Sequence, residues 1–355
     1  MPTPALVIDE AVARRNVMRL AEYAARHGLA LRPHAKTHKS IRMARLQLSA
    51  GAVGLTVAKV GEAEVFSSVC DDLLIAYPAV DEPRCRRIAE LARNKTVRVA
   101  VDSAFAVDAL AGWASRLGAT VGILVELDVG FGRTGVQSPL AALELARRAA
   151  RTEGVRFDGL MCFPGHITGP PQSQDLAGIG EQLARAVTML NEAGLETPIV
   201  SGGSTPTAYQ SHRIEPLTEL RPGTYIYNDM NTVAAGHCRL DDCAARVVCT
   251  VVSDAVPGKV VIDAGTKALA REPARDGGGT FGHVVEYPAA RIVRLTEEHG
   301  QLDVSACPLK PAIGQRLTVI PNHICPCVNL YDQAWLRTEA GEWQTMTIDA
   351  RGRLS

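Results

Sequence analysis

A lysine set among other cations is a candidate for covalent chemistry, and Lys36 stands in such a run, Arg32-Pro-His-Ala-Lys-Thr-His-Lys39. Nearby positive charge depresses a lysine's pKa and favours the neutral amine that a Schiff base needs. The plainer alternative is a solvated surface lysine. Arg133, in Gly130-Phe-Gly-Arg-Thr-Gly135, carries a planar fork suited to an anionic ligand oxygen, or else to an ordinary loop salt bridge. Ser201-Gly-Gly-Ser-Thr205 offers backbone N–H groups and hydroxyls able to cradle a phosphate, though a bare turn would read the same way. His166 closes Phe163-Pro-Gly-His166, and Asn228 and Asp229 follow a Tyr-rich stretch.

A third constellation is Pro321-Asn-His-Ile-Cys-Pro-Cys327. In an extended chain, residues i and i+2 share a face, so His323 and Cys325 can address one ion. Imidazole plus thiolate suits zinc, and two protein ligands leave positions open for water or substrate. A buried histidine beside a buried thiol is the bland reading. Cys327 falls on the same face, but Pro326 disturbs the geometry there.

These residues need a scaffold. Short apolar or β-branched runs predict strands at 29–33, 53–57, 73–76, 97–101, 121–127, 157–162, 198–201 and 223–227. Ala- and Arg-rich segments with helical periodicity lie between them; 141–151 and 182–193 are examples, the second stopping at Gly194. Such alternation predicts an α/β (β/α)8 TIM-type barrel over residues 10–240, with an open doubly wound sheet as the alternative. Lys36, Arg133, His166, Ser201–Thr205 and Asn228 then all follow strands, at the end where barrel enzymes carry their sites. After about residue 241 the pattern changes to strands joined by Gly/Pro turns, at 246–252, 259–263, 283–287, 290–295 and 316–320. That predicts a C-terminal β-rich domain, 241–355, with residues 1–9 as an added strand. The glycine-rich loop 275–282 is expected to be mobile, and gating is one role open to it.

Composition narrows the function. The 355 residues are 46% hydrophobic and 21% charged, with a formal net charge of zero, which argues against nucleic acid as a partner and points to a small molecule. No apolar run approaches the roughly 20 residues of a membrane span, and the first residues lack a signal-peptide pattern. Nine scattered cysteines fit buried thiols in a reducing cytoplasm.

The motifs RPHAKTHK, GFGRTG, SGGSTPT, ELRPGTYIYND, DAGTKAL, EEHG and PNHICP occur in this order, from about Thr3 to beyond Asp332. In these the chain resembles the D-threonine aldolase/D-serine dehydratase family of fold-type III pyridoxal phosphate (PLP) enzymes, relatives of alanine racemase. The resemblance implies that Lys36 forms the covalent link to PLP. It implies that Arg133 contacts the cofactor's phenolic oxygen or the substrate. Gly202, Gly203 and Ser204, with the backbone near Tyr227 and Asn228, are implied to hold the phosphate. His323 and Cys325 are implied to bind a divalent metal, zinc or else manganese, with His166 near the substrate. A homodimer, head to tail, is also implied.

Two departures matter. Relatives often carry tyrosine where this chain has Phe163, which cannot hydrogen-bond the pyridine ring. Aldolase members often show His-x-Asp where dehydratase members show His-x-Cys, the form found here. The expected activity is that of a lyase on D-3-hydroxy amino acids, leaning toward β-elimination to an oxo acid and ammonia, with retro-aldol cleavage to glycine and an aldehyde as the alternative. A PLP-binding protein without turnover and a racemase are further alternatives; the latter needs a second acid/base, for which Tyr287 and Tyr331 are formal candidates.

Overall fold

The computed structural model describes residues 1–275 and 278–355; Asp276 and Gly277, in the loop expected to be mobile, lie outside the described residues. Two compact units emerge. One comprises Met18–Lys36, Met43–Gly223 and Gly352–Ser355, the other Met1–Val17, Thr37–Arg42 and Thr224–Arg351.

In chain order the strands are β1 (Ala5–Asp9), β2 (Ala30–Leu31), β3 (Leu55–Val57), β4 (Asp72–Ile75), β5 (Thr96–Val101), β6 (Val121–Glu126), β7 (Val155–Met161), β8 (Ile199–Gly202) and β9 (Glu219–Leu220). Strands β2 to β9 form a wholly parallel sheet in the order β2-β9-β8-β7-β6-β5-β4-β3. Its two end strands are themselves joined, since Val53 N donates to Leu31 O, Thr56 N to Pro33 O and Ala35 N to Thr56 O. Three of the intervening helices start where the sequence supplies caps. Asp81 accepts from Arg84 N ahead of Glu82–Ala92, Ser103 from Ala106 N ahead of Ala104–Arg116, and Ser138 from Ala141 N ahead of Pro139–Arg151. Strand β6 is buried along its whole length, as a strand covered on both faces must be.

Ion pairs, not only aliphatic side chains, fill this sheet's interior. Arg32 Nε meets Glu219 Oε2 at 2.8 Å and its Nη1 meets Asp72 Oδ1 at 2.6 Å. Arg98 bridges Asp72 and Asp158 at 2.6 and 2.7 Å, and Ser201 Oγ donates to Glu219 Oε1. Two glycines make room. A Cβ at Gly54 would lie 2.2 Å from Arg32 Nη1 and 2.4 Å from the Asp72 carbonyl, and one at Gly122 would lie 2.4 Å from Asp158 Oδ2.

The expected strand at 223–227 is not there. The last parallel strand is β9, at Glu219–Leu220, and Thr224–Ile226 is a 3-10 turn. Pro222 and Gly223 end the strand, and the aromatic run beyond them is buried as a turn.

The second unit is β-rich. Strands β10 (Ala245–Ser253), β11 (Lys259–Ile262), β12 (His283–Val284), β13 (Arg291–Leu295), β14 (Gly300–Asp303), β15 (Arg316–Ile320), β16 (Gln333–Arg337) and β17 (Trp343–Thr347) join β1 in the order β11-β14-β13-β12-β15-β10-β1-β16-β17. A further β10–β11 pairing closes six of them on themselves. Strand β1 pairs antiparallel with β10 and parallel with β16. Among the described residues no helix is long and apolar enough to cross a membrane.

The interior network predicts an asymmetry among glycine substitutions. Gly122→Ala should cost about 1–3 kcal/mol through overpacking, whereas Gly112→Ala, on a helix where the added Cβ meets nothing within 4 Å, should be neutral or mildly stabilising. Glu219→Ala should cost about 3 kcal/mol by leaving Arg32 short of a buried partner. Urea unfolding of the three variants checks the ranking.

Candidate functional site

Adjacent strands β2, β9, β8, β7 and β6 bring most of the expected residues to one end of the parallel sheet. Lys36 follows β2, half-buried, its backbone N donating to His34 Nδ1 at 3.4 Å, while His34 N is tied to Pro222 O. The cations around it are not equivalent. Arg32 has its charge balanced by Glu219 and Asp72, and His38 and Lys39 belong to the other unit.

Gly202 is the last residue of β8, Gly203 and Ser204 follow it, and all three are buried. A Cβ on Gly202 would meet Leu217 Cδ2 at 2.7 Å and Cys162 Sγ at 2.8 Å, and Gly203 has φ +80°, so both positions favour glycine. Ser204 N and Oγ are both turned to Thr207 Oγ1, at 3.0 and 3.3 Å.

The Arg133 loop is built around a carboxylate. Asp128 Oδ1 accepts the N–H groups of Gly130, Phe131 and Gly132 at 2.9–3.1 Å. Slight burial raises its pKa, but these donors outweigh it and hold the carboxyl below its ordinary value. Exposed Arg133 lies 5.0 Å from the Phe131 ring centroid and 4.9 Å from that of Phe163. Phe163, the departure from tyrosine, thus stacks on a cation. His166 is exposed and packs on Gly130, whose added Cβ would lie 3.2 Å from its Cε1.

Two residues at this end were not among the expected site residues. Glu126, the last residue of β6, is buried, and burial raises its pKa against the opposing pull of Thr134, Arg221 and Arg133. Arg221 is buried beyond β9; its Nη2 donates to Cys162 O, and its Nε has no partner among the described residues. A buried donor left unpaired costs about 1–3 kcal/mol. That orphan, with the obligatory glycines, fits a bound group bearing its own acceptors.

The second unit carries the rest. Tyr227 is fully buried and its hydroxyl lacks a partner among the described residues. Asn228 sits at φ 51° and donates to Asp242 O. His323 and Cys325 are not on an extended strand as expected: His323 is extended (φ −134°, ψ 112°) and caps a short helix, Ile324–Val328, that contains Cys325. The two side chains are nevertheless hydrogen-bonded. Cys325 Sγ lies 3.1 Å from Thr37 Oγ1 and 3.6 Å from Thr224 Oγ1, and His323 Nδ1 lies 2.6 Å from Glu272 Oε2. Burial pulls the His323 pKa down, but Cys325, Glu272 and Asp229 more than offset it, to about 10. Asp229 accepts from Ile324 N at 3.2 Å and caps the following helix through Thr232 N. Among the described residues no three His, Cys, Asp or Glu side chains converge as a metal cage. Cys327 is apart from the His323–Cys325 pair, buried and donating to Ala268 O at 3.1 Å. The hydroxyls of Tyr287 and Tyr331 donate to Gln315 and to Ala268 O.

Comparison with known proteins gives the family. The sequence profile of the alanine racemase N-terminal domain matches residues 8–231, and that of a serine dehydratase domain matches residues 244–336. The chain is 32% identical to a D-threonine aldolase from Arthrobacter sp, over 99% of its own length and 93% of that protein's. It is 31% identical to a D-threo-3-hydroxyaspartate dehydratase from Delftia sp. (strain HT23), over 92% and 91% of the two chains. Among solved structures it matches a D-threonine aldolase from Filomicrobium marinum with a TM-score of 0.92 and 30% identity, covering 100% of this chain and 97% of the other. A mutant of D-threo-3-hydroxyaspartate dehydratase, described as in its metal-free form, matches with a TM-score of 0.85 at 29% identity, over 98% and 97% of the chains.

The Asp128 loop generates a test with a defined sign. Its carboxyl is depressed in the folded state, so the stability it contributes is present above the ordinary aspartate pKa of about 3.9 and is lost as pH falls through the lowered folded value. Asp128→Ala should therefore be less stable than the parent at neutral pH, the gap closing in acid. Amide exchange at Gly130, Phe131 and Gly132 should quicken in the variant.

Proposed function

We propose, for a chain that belongs to the D-threonine aldolase/D-serine dehydratase family of PLP-dependent lyases, that it acts on D-3-hydroxy amino acids with PLP and a divalent metal. The parallel unit is read as a closed (β/α)8 barrel whose strand ends hold the cofactor. Lys36 attaches PLP covalently. Gly202, Gly203 and Ser204 are assigned to the phosphate, the Ser204 N–H exchanging its Thr207 partner for it, and Tyr227 and the backbone at Asn228 are assigned to it as well. Arg133 pairs with the phenolic oxygen or the substrate carboxylate, and His166 stands by the substrate. His323 and Cys325 hold the ion, with zinc the best match to their donors and manganese the alternative.

When bound, PLP supplies an electron sink for the bonds at Cα and the ion supplies a Lewis acid for the β-hydroxyl. The chain's own task is orientation and proton transfer. Lys36 would be the base for the Cα proton, its amine being the basic group assigned to the cofactor. Loss of that proton with the β-hydroxyl removes one water and leaves an enamine, whose imine tautomer takes up water to give the oxo acid and ammonia. The observation carrying this branch is Cys325: a thiol, not a carboxylate, pairs with His323 and meets the hydroxyl of Thr37, the residue that follows Lys36 in the chain. Retro-aldol cleavage to glycine and an aldehyde is the second reading, favoured by the similarity to the D-threonine aldolases over nearly the whole chain. A racemase gains nothing from Tyr287 or Tyr331, whose hydroxyls are already engaged. A homodimer is part of the proposal.

Purified protein given PLP and zinc or manganese should be incubated with D-threonine, D-serine and D-3-hydroxyaspartate, with and without EDTA. EDTA-sensitive oxo acid and ammonia are the expected products; EDTA-sensitive glycine would replace elimination by aldol cleavage. Lys36→Ala should abolish both turnover and the absorbance of lysine-bound cofactor. Turnover of none of these substrates, with that absorbance intact, would refute the lyase assignment for them and leave a PLP-binding protein.

A further inference from the structure

We infer that Glu272 is a positioning residue for the metal pair, its carboxylate fixing the proton of His323 on Nδ1 and so presenting Nε2 to the ion; this rests on the metal-dependent reading above. The contact is short, 2.6 Å from Glu272 Oε2 to His323 Nδ1. A neutral imidazole has one donor and one acceptor nitrogen, and whichever carries the proton cannot bind metal. Holding the proton at Nδ1 leaves the Nε2 lone pair as the ligand and stops the ring from turning.

The chain secures Glu272 from a second direction. Asn322, buried and immediately before His323, donates through Nδ2 to the main-chain carbonyl of Glu272 at 3.0 Å and to that of Thr280 at 2.7 Å. The residue preceding the ligand thus grips the backbone of the residue that orients it. The segment reaches this place through Ala270, which takes a left-handed φ of 62° directly after the Thr266–Leu269 turn of helix. That is an uncommon conformation for alanine, held because the surrounding bonds require it. An ordinary surface acid at position 272 would need neither the gripped carbonyl nor the turned backbone. A carboxylate on the far nitrogen of a ligating histidine also makes the imidazole more basic, and removing such partners typically weakens metal affinity by 10–100-fold.

The test uses the PLP-loaded protein stripped of metal with a chelator and titrated with cobalt(II). The near-ultraviolet cobalt–thiolate band reports bonding to Cys325, and the visible bands report the ligand geometry. Glu272→Ala should weaken cobalt binding by ~10–100-fold, with the thiolate band recovered at saturation and the thermal midpoint of the metal-free protein unchanged. Glu272→Gln, whose amide oxygen still accepts from Nδ1, should retain most of the affinity and serves if the alanine variant does not fold. Wild-type affinity in Glu272→Ala would overturn the inference, as would equal losses in the Gln and Ala variants that track a lowered thermal midpoint. Absence of the thiolate band in the wild type, or its full survival in His323→Ala, would instead sink the metal reading, and the inference with it.

Discussion

The guanidinium of Arg32 is clamped between Glu219 and Asp72 inside the parallel sheet, and the chain runs on from it to Lys36. Three strands, β2, β4 and β9, are tied by that one side chain, and Arg98 extends the tie to Asp158 on β7. Buried ion pairs of this kind need not add net stability over apolar packing, because desolvation offsets much of the attraction. What they supply here is uniqueness. A slip of β2 against β9 would leave two charges buried without partners, so the pairing that sets Lys36 at the strand end is strongly selected. Gly54 and Gly122 are part of the same device, since any larger side chain at either point collides with the network.

Rigidity at the strand starts leaves the strand ends to be shaped by loops, and two different devices shape them. The Arg133 loop is wound on Asp128, whose carboxylate replaces the backbone partners that a strand or helix would have supplied. The Gly202–Ser204 loop is shaped by exclusion, because Leu217 and Cys162 stand where a Cβ would be. The first device fixes a cation in an aromatic setting. The second keeps side chains off the backbone at Gly202.

Much of this was legible in the sequence because the relevant signals are local. Strands β3 to β8 are short runs alternating with helices, and Lys36, Arg133 and His166 follow their strands as expected, with Gly202 ending its own. The last parallel strand escaped because it is two residues long, while the β-branched and aromatic run beyond Pro222 carries a stronger strand signal than Glu219–Leu220 itself. Strands β14, β16 and β17 were missed because β14 is only four residues long with a single large apolar side chain, and Trp343–Thr347 is mostly exposed and lacks a period of two. The extended geometry expected for His323 and Cys325 does not hold, since a helix start brings the two side chains together. Glu126, Arg221 and Glu272 could not be singled out. Each is an ordinary charged residue in sequence and becomes notable only through burial or a partner set by the fold.

In the proposed reading, the choice between elimination and aldol cleavage comes down to which proton of one substrate is removed. Both outcomes share the cofactor, the ion and the same β-hydroxyl. Elimination needs a base at the Cα–H and a hydroxyl that leaves as a good group, whereas aldol cleavage needs a base at the hydroxyl proton. The metal's other ligands bear on this directly. A thiolate donates more charge than a carboxylate oxygen and moderates the ion's acidity, so a hydroxyl beside a His–Cys ion is less readily deprotonated than one beside a His–Asp ion. A carboxylate on the far side of His323 pushes in the same direction by enriching the imidazole. Both features disfavour hydroxyl deprotonation but also weaken the ion's pull on a departing hydroxyl, so the lean to elimination rests on Lys36 as the base at Cα.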